Sequence, residues 1–563
     1  MKTIITLFFV VSLSIFTITP LFNKGFFEFH DNTQVVRVYE MGKMLMEKVF
    51  PVRWVPDLGY GYGYPIFNFY GPLPYYVGGG FSSIGFDALA STKLMFGVGI
   101  LLSAITMFFF ARKFFGETGA LLSSVIYAYF PYHAVNIYVR GAVGEFFAYA
   151  FLPLLFLGLY QLLDVKKLNG YLLQPVLLIV FSFFLIATSH NLSIFMVLVL
   201  LLPLLLTGII FAKSRKIFVY VSGISLLCGF LLSSFYIIPA FLEMGYTNVS
   251  SQVGGGADFR DHFVCLGQFW DGMWGYGGSI AGCDDGLSFK LGKLNVLLLI
   301  LSLIFLGFSF YRKKLKTPEK MVIVSFVLLI VCFLLTLSVS ELIWVNIPYM
   351  DYIQYPWRFI NFIALFMSFL SGFCIYFIKE RVGTKVAYIA LMVIAFFILI
   401  GNQKLFLPQS FNSNSVSFYT EREYVSFTVS KISDEYMPRG FGIPQNYSEV
   451  PSDIAEFENE KGNISIEINK PYYLKINYEI SADGFLHINR AFFPSWRAYI
   501  NGIEAPIYPV KNGMNVSITR GVGLLELKFK NTPVQTIGNT LTIIAFLALF
   551  AVIIIVSRAK KRK

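Results

Sequence analysis

Long runs of apolar residues recur along the whole chain, and no other feature of the sequence constrains the fold as strongly. A transmembrane helix requires about 20 mostly apolar residues, because a rise of 1.5 Å per residue must cross about 30 Å of hydrocarbon. Runs of about this length occupy residues 3–22, 88–111, 118–135, 146–163, 172–188, 192–211, 217–240, 294–310, 321–344, 359–378, 386–401 and 537–556. The sequence therefore predicts an all-α polytopic membrane bundle of about 12 transmembrane helices.

The composition excludes a water-soluble globule. Charged residues make up 14% of the 563 residues and the mean hydropathy is +0.65, whereas soluble domains are about a quarter charged. The net charge of this chain is +12, and a strongly positive charge is typical of nucleic-acid-binding proteins. Here, however, the basic residues lie in short clusters between apolar runs, as membrane topology requires. We therefore predict no nucleic-acid partner.

The basic clusters fall in alternate connections, which predicts the orientation of the chain in the membrane. They are Lys2, Arg112 and Lys113, Lys166 and Lys167, Lys213, Arg215 and Lys216, Arg312, Lys313, Lys314, Lys316 and Lys320, Lys379, Arg381 and Lys385, and Arg558, Lys560, Lys561, Arg562 and Lys563. Both termini are then cytoplasmic, in a multi-pass protein of the plasma membrane. A cleaved signal peptide is the alternative for the first run, but its length and the absence of a small-x-small site favour an uncleaved helix.

The last long segment changes from apolar runs to an alternation with period two, at residues 464–468 and 473–480. Asn501-Gly502 separates two further alternating stretches and has the composition of a tight hairpin turn. We therefore predict a helical transmembrane domain at 1–402 with a large first external loop at 23–87. An extracytoplasmic β-sandwich domain follows at 403–536, and a C-terminal helix with a basic tail at 537–563.

The five cysteines divide into two groups. Cys228, Cys332 and Cys374 lie inside apolar runs, where they are most simply packing residues. Cys265 and Cys283 share one predicted external loop, where an oxidising environment favours a disulfide. Two free thiols are the alternative.

Polar residues of the predicted first external loop are candidates for chemistry. His30 and Asp31 follow the first helix, so Asp31 is positioned to act as a base toward an incoming hydroxyl, or else marks the membrane interface. Arg53 and Asp57 lie further along, before a Gly/Tyr run that ends at Tyr64 and Pro65. That run lacks the context of a phosphate-binding loop, and its tyrosines could form an interfacial belt.

A second group lies at the predicted outer ends of later helices. Arg140 could bind a phosphate through its planar guanidinium, or could simply pair with Glu145. His133 and His190 could ligate a divalent metal together with Asp31, although the spacing of the histidines gives this little support.

Two further motifs lie near the predicted outer face. Trp357 and Arg358 begin the tenth run and suit either a lipid-headgroup anchor or a bound phosphate. Tyr436 lies in the stretch Asp434-Glu435-Tyr436-Met437-Pro438, for which residue types alone indicate no mechanism.

Taken in order, these motifs resemble a known family. They are His30-Asp31, Arg53-Trp54, Tyr64-Pro65, Tyr70-Gly71-Pro72-Leu73, Tyr138-Val139-Arg140-Gly141 with Glu145, Ser189-His190-Asn191, Tyr355-Pro356-Trp357-Arg358-Phe359 and Glu435-Tyr436-Met437-Pro438. Over about residues 1–440 they resemble the 6-pyruvoyl-tetrahydropterin synthase-related membrane proteins. The C-terminal part, with Phe493-Pro494-Ser495-Trp496, is similar to YfhO-type membrane proteins. Both groups resemble the GT-C superfamily of glycosyltransferases, and nothing in the chain resembles the soluble pterin enzyme.

The resemblance implies a function and roles for residues. A GT-C enzyme takes a sugar from a polyprenyl-phosphate donor and transfers it to a glycan, lipid or protein acceptor, with an acidic residue of the first external loop as base. That residue would be Asp31, and Arg53, Arg140 and Arg358 would bind the donor phosphate. The supporting residues would be His30, Asp57, Tyr64, His133, Glu145, His190, Trp357 and Tyr436. Many GT-C members carry a paired acidic motif where this chain has His30-Asp31, which leaves a metal requirement open.

Two other functions fit the same sequence. A transporter or lipid flippase also has many helices and polar groups at membrane level, but usually binds its substrate near the midplane. An envelope assembly factor without enzymatic activity would leave Asp31 unimportant.

The predicted orientation can be tested by labelling single cysteines at Ser465 and Lys561 in a variant with no other accessible thiol. We expect an impermeant maleimide to label Ser465→Cys in intact cells and Lys561→Cys only after permeabilisation, because the basic connections stay in the cytoplasm. The reverse pattern would overturn the orientation.

Overall fold

The structure is a computed structural model that describes residues 2–167, 172–311, 315–458 and 462–561. Arg312, Lys313, Lys314, Arg562 and Lys563, which belong to the predicted basic clusters, lie outside the described residues. Helices of more than ten residues are α1 Lys2–Ser14, α2 Gln34–Met46, α3 Leu73–Ser83, α4 Ala88–Ala128, α5 Val143–Leu163, α6 Leu173–Ser189, α7 Asn191–Phe211, α8 Arg215–Leu242, α9 Lys293–Tyr311, α10 Thr317–Leu335, α11 Ile360–Arg381, α12 Thr384–Asn402 and α13 Pro533–Lys561.

The polytopic helical bundle predicted from the apolar runs is confirmed. Ten helices within the described ranges are long and apolar enough to cross a membrane. One of them, α4, has 41 residues and is broken at Gly116, whose φ of 69° is outside the helical region. Its two arms correspond to the second and third predicted spans. The fifth predicted span is α6, which has 17 residues and is shorter than the others.

Polar contacts join connections that the charge pattern assigns to the same side. Arg112 Nε is 2.6 Å from Glu117 Oε1 at the break in α4, and Thr3 of α1 donates to the same carboxylate at 3.0 Å. Lys213 and Asp164, which follow α7 and α5, are paired at 2.7 Å. The parts of the chain that each of these two contacts joins therefore lie at the same end of the bundle.

The strands precede the last helix, as predicted. They are β1 Phe26–Phe27, β2 Phe411–Asn412, β3 Ala455–Phe457, β4 Gly462–Lys470, β5 Tyr473–Ile480, β6 Gly484–Ile488, β7 Trp496–Ile500, β8 Ile503–Ala505, β9 Ile507–Val510, β10 Gly513–Ile518 and β11 Gly521–Phe529. Two antiparallel sheets, ordered β3-β6-β10-β9 and β4-β5-β11-β7-β8, form the β-domain. Asn501 and Gly502, with φ of 48° and 85°, make the β7–β8 turn, because both residue types tolerate positive φ.

The segment before the β-domain differs from the expectation that strands dominate from residue 403. Within 403–454 the chain forms short helical turns, and its one strand, β2, pairs with β1 of the first loop (residues 23–87). The β1–β2 pair and the bond from the Tyr60 N–H to the Ser430 hydroxyl therefore join this segment to the first loop.

A buried carboxylate joins the bundle, the first loop and the last helix. Glu243, at the end of α8 and 1% exposed, accepts from Asn68 Nδ2 at 2.8 Å, from Gln535 Nε2 at 3.0 Å and from the Thr532 hydroxyl. Gln535 also donates to the Ser495 hydroxyl beside β7, at 3.2 Å. The β-domain and α13 are thereby fixed to the rest of the protein.

We expect Glu243→Ala to lower the free energy of unfolding by about 3 kcal/mol, because several buried donors would lose a charged acceptor. Glu504→Ala is the control, since that side chain is 61% exposed and should change stability by less than about 0.5 kcal/mol. Denaturant unfolding in detergent measures both. Equal stability of the two variants would contradict the role of Glu243.

Candidate functional site

The start of the first loop is held against the connection between α4 and α5. The His30 N–H donates to Val139 O at 3.0 Å, and the Asp31 N–H donates to Arg140 O at 3.1 Å. Gly141 follows with φ of 66°, and a Cβ there would lie 2.1 Å from the Phe29 ring. This close approach requires glycine, and it places Asp31 directly beside Arg140.

Asp31 presents a free carboxylate at this point. The residue is exposed, and its carboxylate has no hydrogen-bond or ion-pair partner within the part of the chain that the structure describes. It interacts electrostatically with the Arg140 guanidinium. A carboxylate that is open to solvent and unpaired is available to accept a proton.

Arg140, Glu145 and Arg358 form a buried charge cluster. Arg140 Nη1 donates to Glu145 Oε2 at 2.9 Å, and Arg358 Nε lies 3.7 Å from the same oxygen. Asn361 Nδ2 donates to Glu145 Oε1 at 2.7 Å, and Asn136 Oδ1 accepts from Arg140 at 2.6 Å. Arg140 and Glu145 thus do pair, but the single carboxylate is shared by two guanidinium groups.

Arg358 remains short of acceptors in this cluster. It is 8% exposed, and its Nε and Nη1 atoms are buried without a hydrogen-bond partner among the described residues. Buried polar groups normally have partners, because an unpaired donor keeps its full desolvation cost. With two cations and one anion, the cluster is suited to one further anion.

Aromatic rings and the loop between Cys265 and Cys283 cover the cluster. The Arg140 guanidinium lies 4.7 Å from the Trp357 ring, and Trp357 Nε1 donates to the Ser279 hydroxyl at 3.2 Å. Ser279 also contacts His262 Nδ1 at 2.9 Å. Because Ser279 lies inside the Cys265–Cys283 loop, that loop holds Trp357 against Arg140.

The same loop also reaches the other side of the site. The Tyr276 carbonyl is 2.8 Å from His30 Nε2, next to Asp31. The structure joins Cys265 and Cys283 in a disulfide, the pairing that the sequence favours. The disulfide-closed loop therefore contacts His30, the residue before the candidate base, and Trp357, whose ring lies against Arg140.

An apolar cavity of about 320 Å³ lies between α7 and α8. Asn191, which follows His190, lines it, as do Phe69 and Tyr436. The His190 ring lies over Gly144, and His190 interacts electrostatically with Glu145. Leu198 of α7 lines the cavity and is itself exposed, so the cavity adjoins the lipid-facing surface.

Four predicted site residues lie elsewhere. Arg53 donates to Asn68 Oδ1 at 2.9 Å and to Asn539 Oδ1 at 3.0 Å, so the structure places it in the network around Glu243 and not beside Arg140. Asp57 pairs with Lys43 of α2. His133 is buried with its ring stacked 4.5 Å from that of Tyr149.

The fourth is Tyr64, which is a packing residue in the structure. It is 1% exposed, and its hydroxyl accepts from the Tyr436 N–H at 3.1 Å. Sequence spacing did not separate these four from the cluster, because it says nothing about which way a side chain points.

The sequence motifs assigned no role to two charged residues that lie near the site, Arg37 and Glu435. Arg37 of α2 donates to the Ser433 hydroxyl at 2.7 Å and lies 4.5 Å from the Tyr70 ring. Ser433 donates to Glu435, and burial raises the pKa of the Glu435 carboxyl while Arg37 opposes that shift. Tyr70 interacts with both Asp31 and Glu435. A cation inside the apolar stretch Val35–Val38 was the signal that could have revealed Arg37.

The histidines and acids do not converge on a metal centre. Within the described ranges, no group of three or more His, Cys, Asp or Glu side chains is arranged to hold a metal ion. His190 instead caps α7, where its Nδ1 accepts from the Ser193 N–H at 3.2 Å.

Comparison with known proteins identifies relatives. A family model described as 6-pyruvoyl-tetrahydropterin synthase related domain, membrane protein, matches residues 67–406. No curated protein matches the chain.

Three solved structures are among those similar to this chain. ArnT from Cupriavidus metallidurans, bound to undecaprenyl phosphate, is 13% identical, with 76% of this chain and 70% of that chain covered and a TM-score of 0.40. The mycobacterial arabinofuranosyltransferase AftD is 12% identical, covers 73% and 27%, and has a TM-score of 0.47. The Archaeoglobus fulgidus oligosaccharyltransferase, in complex with zinc and sulfate, is 12% identical, covers 80% and 58%, and has a TM-score of 0.44.

Peptide mapping without reductant tests the covering loop. We expect a Cys265–Cys283 linked peptide, while Cys228, Cys332 and Cys374 are alkylated after denaturation. The double variant Cys265→Ser/Cys283→Ser should lose about 3 kcal/mol of stability, because the unfolded loop regains conformational entropy. Recovery of both cysteines as free alkylated thiols would rule out the bridge.

Proposed function

The chain belongs to the family of 6-pyruvoyl-tetrahydropterin synthase-related membrane proteins, and within it we propose a glycosyltransferase of the GT-C kind. It transfers a sugar from a polyprenyl-phosphate donor to an acceptor at the outer face of the plasma membrane. The observation that carries the proposal is Arg358, whose Nε and Nη1 nitrogens have no hydrogen-bond partner among the described residues and lie in a buried cluster of net positive charge.

The donor has two parts, and the site has a complement for each. Its phosphate binds between Arg358 and Arg140, where a guanidinium can make charge-assisted, bidentate hydrogen bonds. Its apolar chain lies in the cavity between α7 and α8, which adjoins the lipid-facing surface. Asn191 lines this cavity, and the preceding residue, His190, interacts electrostatically with Glu145 of the cluster. A phosphate without a lipid would leave that cavity unused, which supports a lipid-linked donor.

Asp31 acts as the general base. An acceptor hydroxyl gives its proton to the Asp31 carboxylate while its oxygen forms the bond to the anomeric carbon of the sugar. The bond from that carbon to the phosphate oxygen breaks, and the lipid phosphate leaves with the electron pair and the negative charge. Arg140 and Arg358 stabilise that charge. A single displacement of this kind inverts the configuration at the anomeric carbon.

The acceptor approaches from water. Asp31 is exposed while the arginines are buried, so a hydroxyl of a glycan, lipid or protein reaches the base from the solvent side and the donor reaches the arginines from the membrane side. Trp357 and the disulfide-closed loop exclude water from the phosphate, which strengthens its interaction with the guanidinium groups.

We expect Asp31→Asn to reduce turnover at least 100-fold and leave membrane insertion unchanged, because a positioned base contributes 10²–10⁴-fold. Turnover is measured as the release of lipid phosphate from a panel of polyprenyl-phosphate sugars, detected by mass spectrometry. Asp261→Asn is the matched control, since Asp261 is exposed in another loop and should retain normal activity.

Arg358→Gln separates donor binding from chemistry in the same assay. It should weaken donor binding about tenfold or more, because it removes a charged donor to the phosphate, whereas Asp31→Asn should leave donor binding unchanged. If Asp31→Asn keeps more than about a tenth of normal turnover, the usual contribution of a base is not met there, and Glu435 becomes the candidate.

A further inference from the structure

A second cavity, of about 340 Å³, lies between the first loop, residues 420–426 and the β-domain. The first loop contributes Trp54 and Tyr62 to its lining, and residues 420–426 contribute Arg422 and Ser426. The β-domain contributes Asn489 and Arg490, which follow β6. Nothing in the proposed transfer step uses this cavity. Its charges and its polar groups indicate what it binds.

Arg490 is a buried cation without a carboxylate partner. It is 8% exposed, and its guanidinium donates to three neutral oxygens: Asn469 Oδ1 at 2.9 Å, Lys470 O at 3.1 Å and Pro471 O at 3.3 Å. No carboxylate of the described chain lies within ion-pair distance. Burial lowers the pKa of Arg490 to about 10, so it remains protonated at neutral pH. Two of its five N–H groups have no acceptor among the described residues.

A second arginine lines the same cavity. Arg422 is exposed, and its Nη2 donates to Pro451 O at 2.5 Å, again without a carboxylate partner within the described ranges. The acid in the wall, Asp57, is already paired with Lys43. The cavity therefore has an excess of positive charge, to which an anionic group would be attracted.

The neutral part of the wall suits a sugar ring. The Ser426 hydroxyl donates to Arg422 O, and the Asn489 amide bonds to Asp453 O and to His487 Nε2. Each of the two side chains retains further hydrogen-bonding capacity. Trp54 and Tyr62 contribute apolar surface, which sugar rings also contact. The lining thus combines hydroxyl and amide groups, apolar walls and unpaired guanidinium groups.

We propose that this cavity is a distal acceptor subsite that binds an acidic sugar, through its carboxylate or phosphate, with Arg422 and Arg490. The proposal rests on the proposed glycosyl transfer. Helix α2 links the two places, because it begins three residues after Asp31 and its Lys43 pairs with Asp57 in the cavity wall. The distance along α2 from Gln34 to Lys43 is about 14 Å, so an acceptor several sugars long reaches from the base to the cavity.

Binding of small oligosaccharides to the full-length protein in detergent tests the subsite. The probes are trigalacturonic acid, glucose 1-phosphate and neutral maltotriose, and calorimetry measures the affinity of each. We expect at least one acidic probe to bind about tenfold or more tightly than maltotriose, and Arg422→Gln to abolish that preference, because each guanidinium removed costs a charge-assisted bond. Trigalacturonic acid as the tighter probe indicates a carboxylate ligand, and glucose 1-phosphate a phosphate ligand.

Controls separate this subsite from the transfer site. Arg497→Gln removes a cation from the exposed face of β7, where the side chain is 44% exposed, and should keep the preference. Asp31→Asn should also keep it, since the base is not part of the cavity. The subsite is disproved if neither acidic probe binds more tightly than maltotriose. It is also disproved if the Arg422→Gln variant binds the acidic and neutral probes with the same affinities as the parent protein. Either result would hold even if the lipid-phosphate release assay demonstrates glycosyl transfer. A retained acidic preference in a protein without transfer activity would support the site and disprove the proposed enzyme.

Discussion

The shared carboxylate of Glu145 is the interaction on which the site depends. Two buried guanidinium groups lie within 3.7 Å of its Oε2 atom, and removing one partner from a buried ion pair costs about 3–5 kcal/mol. Arg140 comes from the connection before α5 and Arg358 from the turn before α11. Their positions are therefore fixed relative to α5, and the backbone of His30 and Asp31 is fixed in turn by its bonds to Val139 and Arg140.

Charge balance explains why this cluster and the network around Glu243 differ in character. Around Glu243, donors from Asn68, Thr532 and Gln535 satisfy the carboxylate. Arg53 donates to neutral acceptors through Nη1 and Nη2, and only its Nε has no hydrogen-bond partner among the described residues. Around Glu145 the positive charge is in excess, and two nitrogens of Arg358 have no acceptor within the part of the chain that the structure describes. The first arrangement stabilises a join between elements, whereas the second is suited to a ligand.

The sequence predicts the elements of this protein better than their contacts. Apolar run length is a local property, so the membrane helices and the alternating strands were predictable, and so was the Asn501-Gly502 turn. The pairing of Arg140 with Glu145 was one of two open interpretations, because the two residues are close in sequence. The position of Arg358 beside Glu145 depends on how α11 is rotated against α5, which no spacing indicates. Arg53 was grouped with the phosphate-binding arginines for the same reason: its partners on α8 and α13 are distant in sequence.

That last contact has a consequence for how the chain is made. Arg53 and Asn539 are 486 positions apart, and Glu243 meets Gln535 across 292 positions. A ribosome completes the first loop and α8 long before it reaches α13. Until α13 is synthesised, Arg53 and Glu243 lack their partners Asn539 and Gln535. The part of the first loop around Arg53 therefore completes its contacts only after α13 has been made. A nascent chain that stops early would hold unsatisfied buried charges, the kind of defect by which quality-control proteases distinguish incomplete membrane proteins from finished ones.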